Sequence, residues 1–290
     1  MGAGRRVGKA ADFIAALGGG LDDASLEPAY RAQFLRLPSE GDIARVIGRD
    51  VDPLVIHRAR DSLRRAIGLT LYQPLSEIYR RGAAEERYSP SPEAAGRRAL
   101  RLAALGYIAG RGRPQDIACV FEHYAAARNA TDEVSALAML SEVAAPARQQ
   151  AFDRFYERWK GDHLVIDNWF AYQAASPLAS TLALVKRLTR HPLFSIKNPN
   201  KVHALIGTFA TGNPVNFNRP DGRGFEFVAD RVLEIDAFNP QVAARLLAAF
   251  RSFKALEAVR RRAARKALQR IAKAKPLSRD ALEIVARMLD

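Results

Sequence analysis

The sequence contains one cysteine and no long apolar run. Cys119 alone cannot form an intrachain disulfide, which is typical of a reducing compartment, and its apolar neighbours predict a small core residue rather than a nucleophile. No stretch approaches the roughly 20 apolar residues of a membrane helix, and Asp12 interrupts the only candidate signal sequence. The sequence therefore predicts a cytoplasmic protein without a membrane partner.

Motifs for metal binding and catalysis are also absent from the sequence. The histidines are His57, His123, His163, His191 and His203, and no two of them lie within four residues. This spacing excludes the paired histidines with which one helix binds zinc. There is no glycine-rich phosphate loop, no nucleophile elbow and no cysteine–histidine set. We therefore predict no catalytic residue and no metal ligand in this chain.

Negative charge is scarce, since 45 Lys and Arg residues face 31 Asp and Glu residues and give a formal net charge of +14. Such a balance raises nucleic acid as a partner. The cluster of Arg260, Arg261, Arg262, Arg265 and Lys266 nevertheless has no interleaved aromatic residues or glycines. We interpret it as a solvated helical face and predict no nucleic-acid partner.

Alternation typical of β-strands is missing, and a 3.6-residue period runs through almost every segment. A polar residue followed by proline, the sequence of a capped helix start, recurs at Asp52, Ser91, Ser176, Asn198 and Asn239. The sequence therefore predicts an all-α fold, an irregular right-handed stack of antiparallel helix pairs similar to ARM or HEAT arrays.

Two parts of this array have specific predictions. A helix that starts at Asp52 and runs to about Tyr79 should be kinked or split by Pro74. Its inward residues are predicted to be Val55, Leu63, Ile67, Leu71 and Leu75. Residues 114–127 and 131–144 should form an antiparallel pair, because the connection between them is short.

The most distinctive stretch runs from Leu193 to Arg245. Asn198 is predicted to cap a helix with Val202, Leu205, Ile206 and Phe209 on one buried face. An irregular run follows from Asn213 to Gly224, with a Pro-Asp-Gly turn, and a second helix starts after Asn239. A loop between capped helices in which many side chains can bond to the backbone usually holds functional groups in position. We expect it to be ordered.

Several motifs in this order resemble the C-terminal domain of bacterial aminopeptidase N. They include Asn168-Trp169-Phe170, Gln173-Ala174, Ser176-Pro177, Asn198-Pro199-Asn200, Leu205-Ile206-Gly207, Phe209-Ala210, Asn213-Pro214, Asp221-Gly222 and Asn239-Pro240-Gln241-Val242-Ala243. Upstream, Leu37-Pro38-Ser39-Glu40, Asp52-Pro53 and Asn129-Ala130-Thr131-Asp132 fit as well. The similarity predicts one helical domain over residues 26–290, with residues 1–25 as a leader or residual linker that is partly disordered.

The resemblance implies a function for this domain. The family consists of gluzincin zinc aminopeptidases, which release N-terminal residues from short peptides. Their zinc and glutamate base lie in a preceding thermolysin-like domain, which would be the partner of this chain. The helical C-terminal domain covers the active site and encloses a chamber for the far end of the peptide. By resemblance, this chain is that lid and chamber domain, without zinc or catalytic activity of its own.

The resemblance also assigns three chamber residues. A basic residue and a glutamine one turn before it fall on Arg245 and Gln241, and the four-residue spacing puts both on one helix face. A second family arginine aligns with His203, which is mostly uncharged at neutral pH. The alternative is that neither residue has a role in substrate binding. Arg245 would then be an ordinary surface arginine beside a buried apolar stripe, and His203 would be a packed, hydrogen-bonded residue.

Two other hypotheses for the function of the whole chain remain. One is a stand-alone helical-repeat scaffold that binds a protein or peptide in its concave face. The other is a basic nucleic-acid-binding module, which the composition disfavours. A steep salt dependence of oligonucleotide binding would distinguish the last reading from the others, because phosphate contacts release counterions.

Overall fold

The computed structural model describes residues 4–23, 25–82 and 88–290, with side chains described from residue 10 onward. These residues are mainly helical and contain no strand, only one isolated parallel bridge between Val51 and Leu256. The all-α prediction is therefore confirmed. None of the helices in these ranges has the length and apolarity needed to span a bilayer.

The described helices follow one another with short connections. They are α1 (Gly4–Asp22), α2 (Pro28–Phe34), α3 (Glu40–Ile47), α4 (Pro53–Thr70), α5 (Tyr72–Arg81), α6 (Pro92–Gly110), α7 (Pro114–Ala126), α8 (Ala130–Ser141), α9 (Pro146–Trp159), α10 (Val165–Ala175), α11 (Thr181–Leu188), α12 (Pro199–Val202), α13 (Thr208–Gly212), α14 (Pro214–Phe217), α15 (Arg223–Asp236), α16 (Pro240–Leu247), α17 (Ala258–Ala272) and α18 (Arg279–Leu289). The chain divides into two compact units. Unit 1 comprises residues 1–39 and 58–151, and unit 2 comprises residues 40–57 and 152–290.

Unit 1 has a core shared by helices α1, α4, α5 and α6. Its buried side chains are Ile14, Leu17, Leu21, Leu35, Ile67, Leu71, Leu75, Leu100, Ala104, Tyr107 and Ile108. Helices α7 and α8 pack against each other, at the positions predicted for a helix pair. A bidentate ion pair between Arg111 and Asp116, both 3 % exposed, lies at the start of α7.

The segment expected as a leader or linker contains a packed helix. Helix α1 begins at Gly4, and Ile14, Leu17 and Leu21 are buried in the core of unit 1. Their spacing of three and four residues places them on one helix face. Because alanines and glycines separate these three residues, the apolar pattern of this helix is weak in the sequence. The boundary at residue 25 itself stays a prediction.

The long helix predicted around Pro74 is split. Helix α4 ends at Thr70, and α5 begins at Tyr72, two residues before Pro74. In a continuous helix the proline ring would clash with the carbonyl of Thr70, four residues earlier. The inward assignment of Val55 is wrong, since this side chain is 59 % exposed and its neighbour Ile56 is buried. In the first turn of α4, the buried position is therefore one residue later than predicted.

Four of the five predicted polar–proline helix starts are confirmed. The side-chain oxygens of Asp52, Ser91, Asn198 and Asn239 each accept a backbone N–H of the first turn. The fifth is wrong, because Ser176 ends α10 in an extended conformation and the next helix begins only at Thr181. Helix starts were therefore predictable where the cap is local.

Unit 2 has an aromatic core. The ring of Phe217 packs edge-on against Phe225 and Phe250, with centroid distances of 5.0 and 5.2 Å. Such pairs contribute about 0.5–1.5 kcal/mol each beyond the burial of their area. They fix the end of α14 against α15 and the 3₁₀ turn Ala248–Phe250.

The prediction of a solvated face on α17 is wrong for its first arginine. Arg260 is 6 % exposed and its Nη1 donates to Asp52 Oδ2 and Glu257 Oε1, each at 3.0 Å. Its Nε donates to the carbonyl of Asn218 at 2.7 Å. This arginine therefore joins the first turn of α17 to the cap of α4 and to the loop after α14.

Candidate functional site

The candidate site lies in unit 2, along the helical stretch from Pro199 to Gly212. Asn198 caps it by accepting the N–H of Asn200 at 2.9 Å. The four residues predicted for the buried face, Val202, Leu205, Ile206 and Phe209, are all buried. Between α12 and α13, however, residues His203–Gly207 form a π-helical turn. Such turns are rare and occur often at functional sites.

The π-helical turn is stabilised by local bonds. The N–H of Thr208 reaches the carbonyl of His203, which leaves one extra residue in the turn. The hydroxyl of Thr211 donates to the carbonyl of Gly207 at 2.9 Å. The ring of His203 lies over Gly207, where a Cβ would come within 3.2 Å of Nδ1. A side chain at position 207 would therefore displace His203.

Lys201 connects the start of this stretch to Asp167 and His163. Its side chain is buried, and Nζ donates to Asp167 Oδ1 at 2.6 Å and to the carbonyl of His163 at 2.8 Å. The ammonium also lies 5.8 Å from the ring centroid of Phe170. Sequence reasoning missed this role, because a lysine in the first turn of a helix gives no signal of burial.

Asn213 and Asn216 connect the end of the stretch to the chain after α10. The amide of Asn213 donates to the carbonyls of Ala174 and Ser176 at 2.9 and 2.7 Å. The amide of Asn216 reaches the carbonyl of Leu178 at 3.2 Å. The run predicted as irregular thus contains the short helix α14, and its asparagines bond to the backbone between α10 and α11.

Glycines allow the chain to turn back after α14. Gly222 has a φ of +76°, which favours glycine. A Cβ at Gly224 would lie 2.2 Å from the carbonyl oxygen of Phe217 and 2.4 Å from that of Asn216. Beside them, hydrogen bonding from Arg219 lowers the pKa of Asp221, which also accepts the N–H of Arg223.

A groove of about 440 Å³ lies between the Pro199–Gly212 stretch and α16. Two of the three predicted site residues line it, His203 from one side and Arg245 from the other, and both are exposed. Gln241 is exposed one turn before Arg245 but is not among the lining residues. The structure therefore brings His203 and Arg245 together on one groove.

The electrostatics of this groove favour an anion. Among the described residues, neither the guanidinium of Arg245 nor the ring of His203 has a hydrogen-bond or ion-pair partner. The remaining lining is neutral and contains no carboxylate. A guanidinium is charged at every physiological pH and presents paired donors that match a carboxylate.

No metal centre is found in the parts of the chain that the structure describes. There, no three His, Cys, Asp or Glu side chains approach each other closely enough to hold an ion. The residues that the structure describes thus do not fit a zinc site.

Comparison with known proteins identifies the family. The family model described as "Domain of unknown function (DUF3458_C) ARM repeats" matches residues 3–290. The chain belongs to this family of helical domains.

The relatives identify the kind of protein in which such a domain occurs. Aminopeptidase N of Caulobacter vibrioides is 36 % identical over 277 residues, which cover 96 % of this chain and 32 % of the relative. Aminopeptidase N of Escherichia coli is 33 % identical over 268 residues, which cover 92 % and 30 %. The chain thus spans about a third of the length of these curated relatives, and it corresponds to a C-terminal portion of them. The resemblance to the helical domain of aminopeptidase N is confirmed.

A solved structure agrees in fold. The crystal structure of Legionella pneumophila aminopeptidase A in complex with aspartic acid superposes with a TM-score of 0.86 at 26 % identity. The match covers 96 % of this chain and 33 % of that protein.

Proposed function

We propose that this chain is the substrate-chamber and lid domain of a zinc aminopeptidase that releases N-terminal residues from peptides. The groove between the Pro199–Gly212 stretch and α16 would receive the far end of the peptide. One observation carries the proposal: Arg245 and His203 approach the same groove from different helices, without partners among the described residues and without a carboxylate in the lining.

The proposed ligand group is the C-terminal carboxylate of the peptide. A hydrogen bond to a charged group contributes about 1.5–3 kcal/mol, and the bidentate geometry of Arg245 also fixes the orientation of the carboxylate. Gln241 lies one turn earlier on α16 and is proposed as a further polar contact at the edge of the groove. The imidazole of His203 would add a second N–H donor.

The catalytic chemistry would belong to a thermolysin-like part corresponding to the rest of the relatives' length. By resemblance, that part would hold a zinc ion, which would supply an activated water for hydrolysis. The residues of this chain would bind the peptide end, hold its orientation and restrict the length of the chamber. A single, half-buried cysteine agrees with the cytoplasmic location that we propose.

The test uses this chain assembled with the catalytic portion of Caulobacter vibrioides aminopeptidase N. Arg245→Ala should raise KM about tenfold for tripeptides with a free C-terminus, because one charge-assisted contact is lost. KM for single-residue amides should change little, since these substrates do not reach the groove. Arg262→Ala is the matched control, because Arg262 is an exposed arginine of α17 outside the groove.

Equal effects of Arg245→Ala on both substrate types would contradict the carboxylate contact. If the chain did not associate with the catalytic portion but still bound peptides alone, the stand-alone helical-repeat scaffold would be the better function.

A further inference from the structure

A second cavity continues the groove along the same pair of helical segments. Its volume is about 540 Å³, and it shares Ala210 and Thr211 with the first groove. In the segment after Asn239, residues up to Leu246 line the first groove, and residues from Ala248 onward line the second cavity. The two spaces therefore follow each other in the same direction along both segments and meet at α13.

The lining of the second cavity is mainly apolar, with Thr211, Asn218 and Ser252 as its uncharged polar side chains. Phe217, Leu256, Val51 and Ile56 line it together with alanines and prolines. The two charged lining residues have partners of their own, since Glu40 Oε1 lies 2.7 Å from His57 Nδ1 and Arg45 donates to Asp42. The first groove thus offers one cation, Arg245, and the second cavity offers mainly apolar surface.

We propose that the second cavity is a subsite for an apolar side chain of the same peptide whose carboxylate is bound at Arg245. This inference rests on the proposed function and adds a substrate class to it. The chain would prefer peptides with an apolar residue two positions before the C-terminal residue.

The position follows from helix and strand geometry. Arg245 in α16 lines the first space, and Ala249 in the 3₁₀ turn that follows lines the second. The four-residue step between these positions rises by about 6–8 Å. An extended peptide advances about 3.3 Å per residue, so two residues span the same distance. A peptide with its carboxylate at Arg245 therefore brings the side chain two positions earlier to the apolar cavity.

The test is a titration of the full 290-residue chain with four acetylated tetrapeptides, followed by heteronuclear NMR. The sequences are Ala-Leu-Ala-Ala and Ala-Ser-Ala-Ala, each as the free acid and as the C-terminal amide. The leucine peptides should bind about tenfold more tightly than the serine peptides, the order expected when a leucine side chain leaves water. The free acids should bind more tightly than the amides.

Variants locate the apolar contact. Ala249→Phe fills the second cavity and should abolish the preference for leucine while the preference for the free acid remains. Ser252→Phe fills the cavity from a more exposed position and serves if Ala249→Phe does not fold. The matched control is Ala258→Phe, which adds the same ring at an exposed position outside both spaces and should retain both preferences.

The outcomes separate this inference from the proposed function. Equal binding of leucine and serine peptides, with the free acids still preferred, overturns the subsite alone. A leucine preference that survives both filling variants also overturns it. A leucine preference that Ala249→Phe removes, without any distinction between acid and amide, contradicts the carboxylate site and leaves the apolar subsite standing. Binding of none of the peptides overturns both.

Discussion

The cationic side chains of unit 2 fall into two groups, those that hold the fold and those that are available to a ligand. Lys201 and Arg260 are buried, and each donates to a carboxylate and a carbonyl. Arg245 is exposed at the groove, and no described residue pairs with it. The sequence does not distinguish these groups, because all three occur on helices with one apolar face.

Replacement of Lys201 should therefore destabilise the fold. Lys201→Ala removes two hydrogen bonds and leaves Asp167 without its cation, which costs about 2–4 kcal/mol of unfolding free energy. Urea unfolding measures this change. The matched control Lys197→Ala removes an exposed lysine nearby and should change stability by less than about 0.5 kcal/mol. Equal stability of the two variants would show that the buried pair contributes nothing.

Buried tyrosines in unit 1 predict a loss of stability at alkaline pH. Burial raises the pKa of Tyr107 from 10.0 to about 12, against smaller opposing effects of Arg60 and Arg64. Since the folded pKa is raised, the contribution is complete below pH 10 and is lost as pH rises towards 12.

The measurement is thermal unfolding between pH 9 and 12. Tyr107→Phe lowers stability at pH 9, because it removes the hydrogen bond to the carbonyl of Leu35, but it should lose less stability than the parent as pH rises. Tyr30→Phe changes an exposed tyrosine and should follow the parent. Parallel curves for the parent and Tyr107→Phe would contradict the assignment.

At the scale of elements, helix starts set by bonds within one turn were predictable, and those that depend on contacts distant in sequence were not. Asp52, Ser91, Asn198 and Asn239 were recognisable as caps because a side-chain oxygen and a following proline act within one turn. Ser176 has the same pattern, but Asn213 and Asn216 hold its carbonyl from about forty residues away. The π-helical turn at His203–Gly207 also has no sequence signature, since both flanking turns have the periodicity of an ordinary helix.

The junction of α14 and α15 depends on the absence of a side chain at Gly224. Gly224→Ala would place a methyl group against two backbone carbonyls, which cannot move as a flexible side chain does. We expect a loss of about 2–4 kcal/mol, at the upper end of overpacking effects. Urea unfolding measures it. Gly212→Ala is the control, because its nearest neighbour is the Thr208 methyl group at an ordinary 3.4 Å.

At the scale of the whole molecule, fold and family were predictable from sequence while the site was predictable only in part. Helical periodicity and capped starts determine an all-α array, and the ordered motifs identify the family. The groove depends on the approach of two segments about forty residues apart, so Arg245 and His203 meet through tertiary packing. Resemblance named these residues, and it also named Gln241, which is exposed beside the groove rather than in its lining.

We propose that this helical domain serves a separate catalytic part of an aminopeptidase. Complementation tests it most directly: the purified chain is mixed with the catalytic portion of Caulobacter vibrioides aminopeptidase N, and hydrolysis of alanyl peptides is measured with zinc present. We predict no hydrolysis by the chain alone, and a gain in peptide hydrolysis when both parts are mixed. Hydrolysis by the zinc-loaded chain alone, or a mixture no more active than the catalytic portion, would contradict the account.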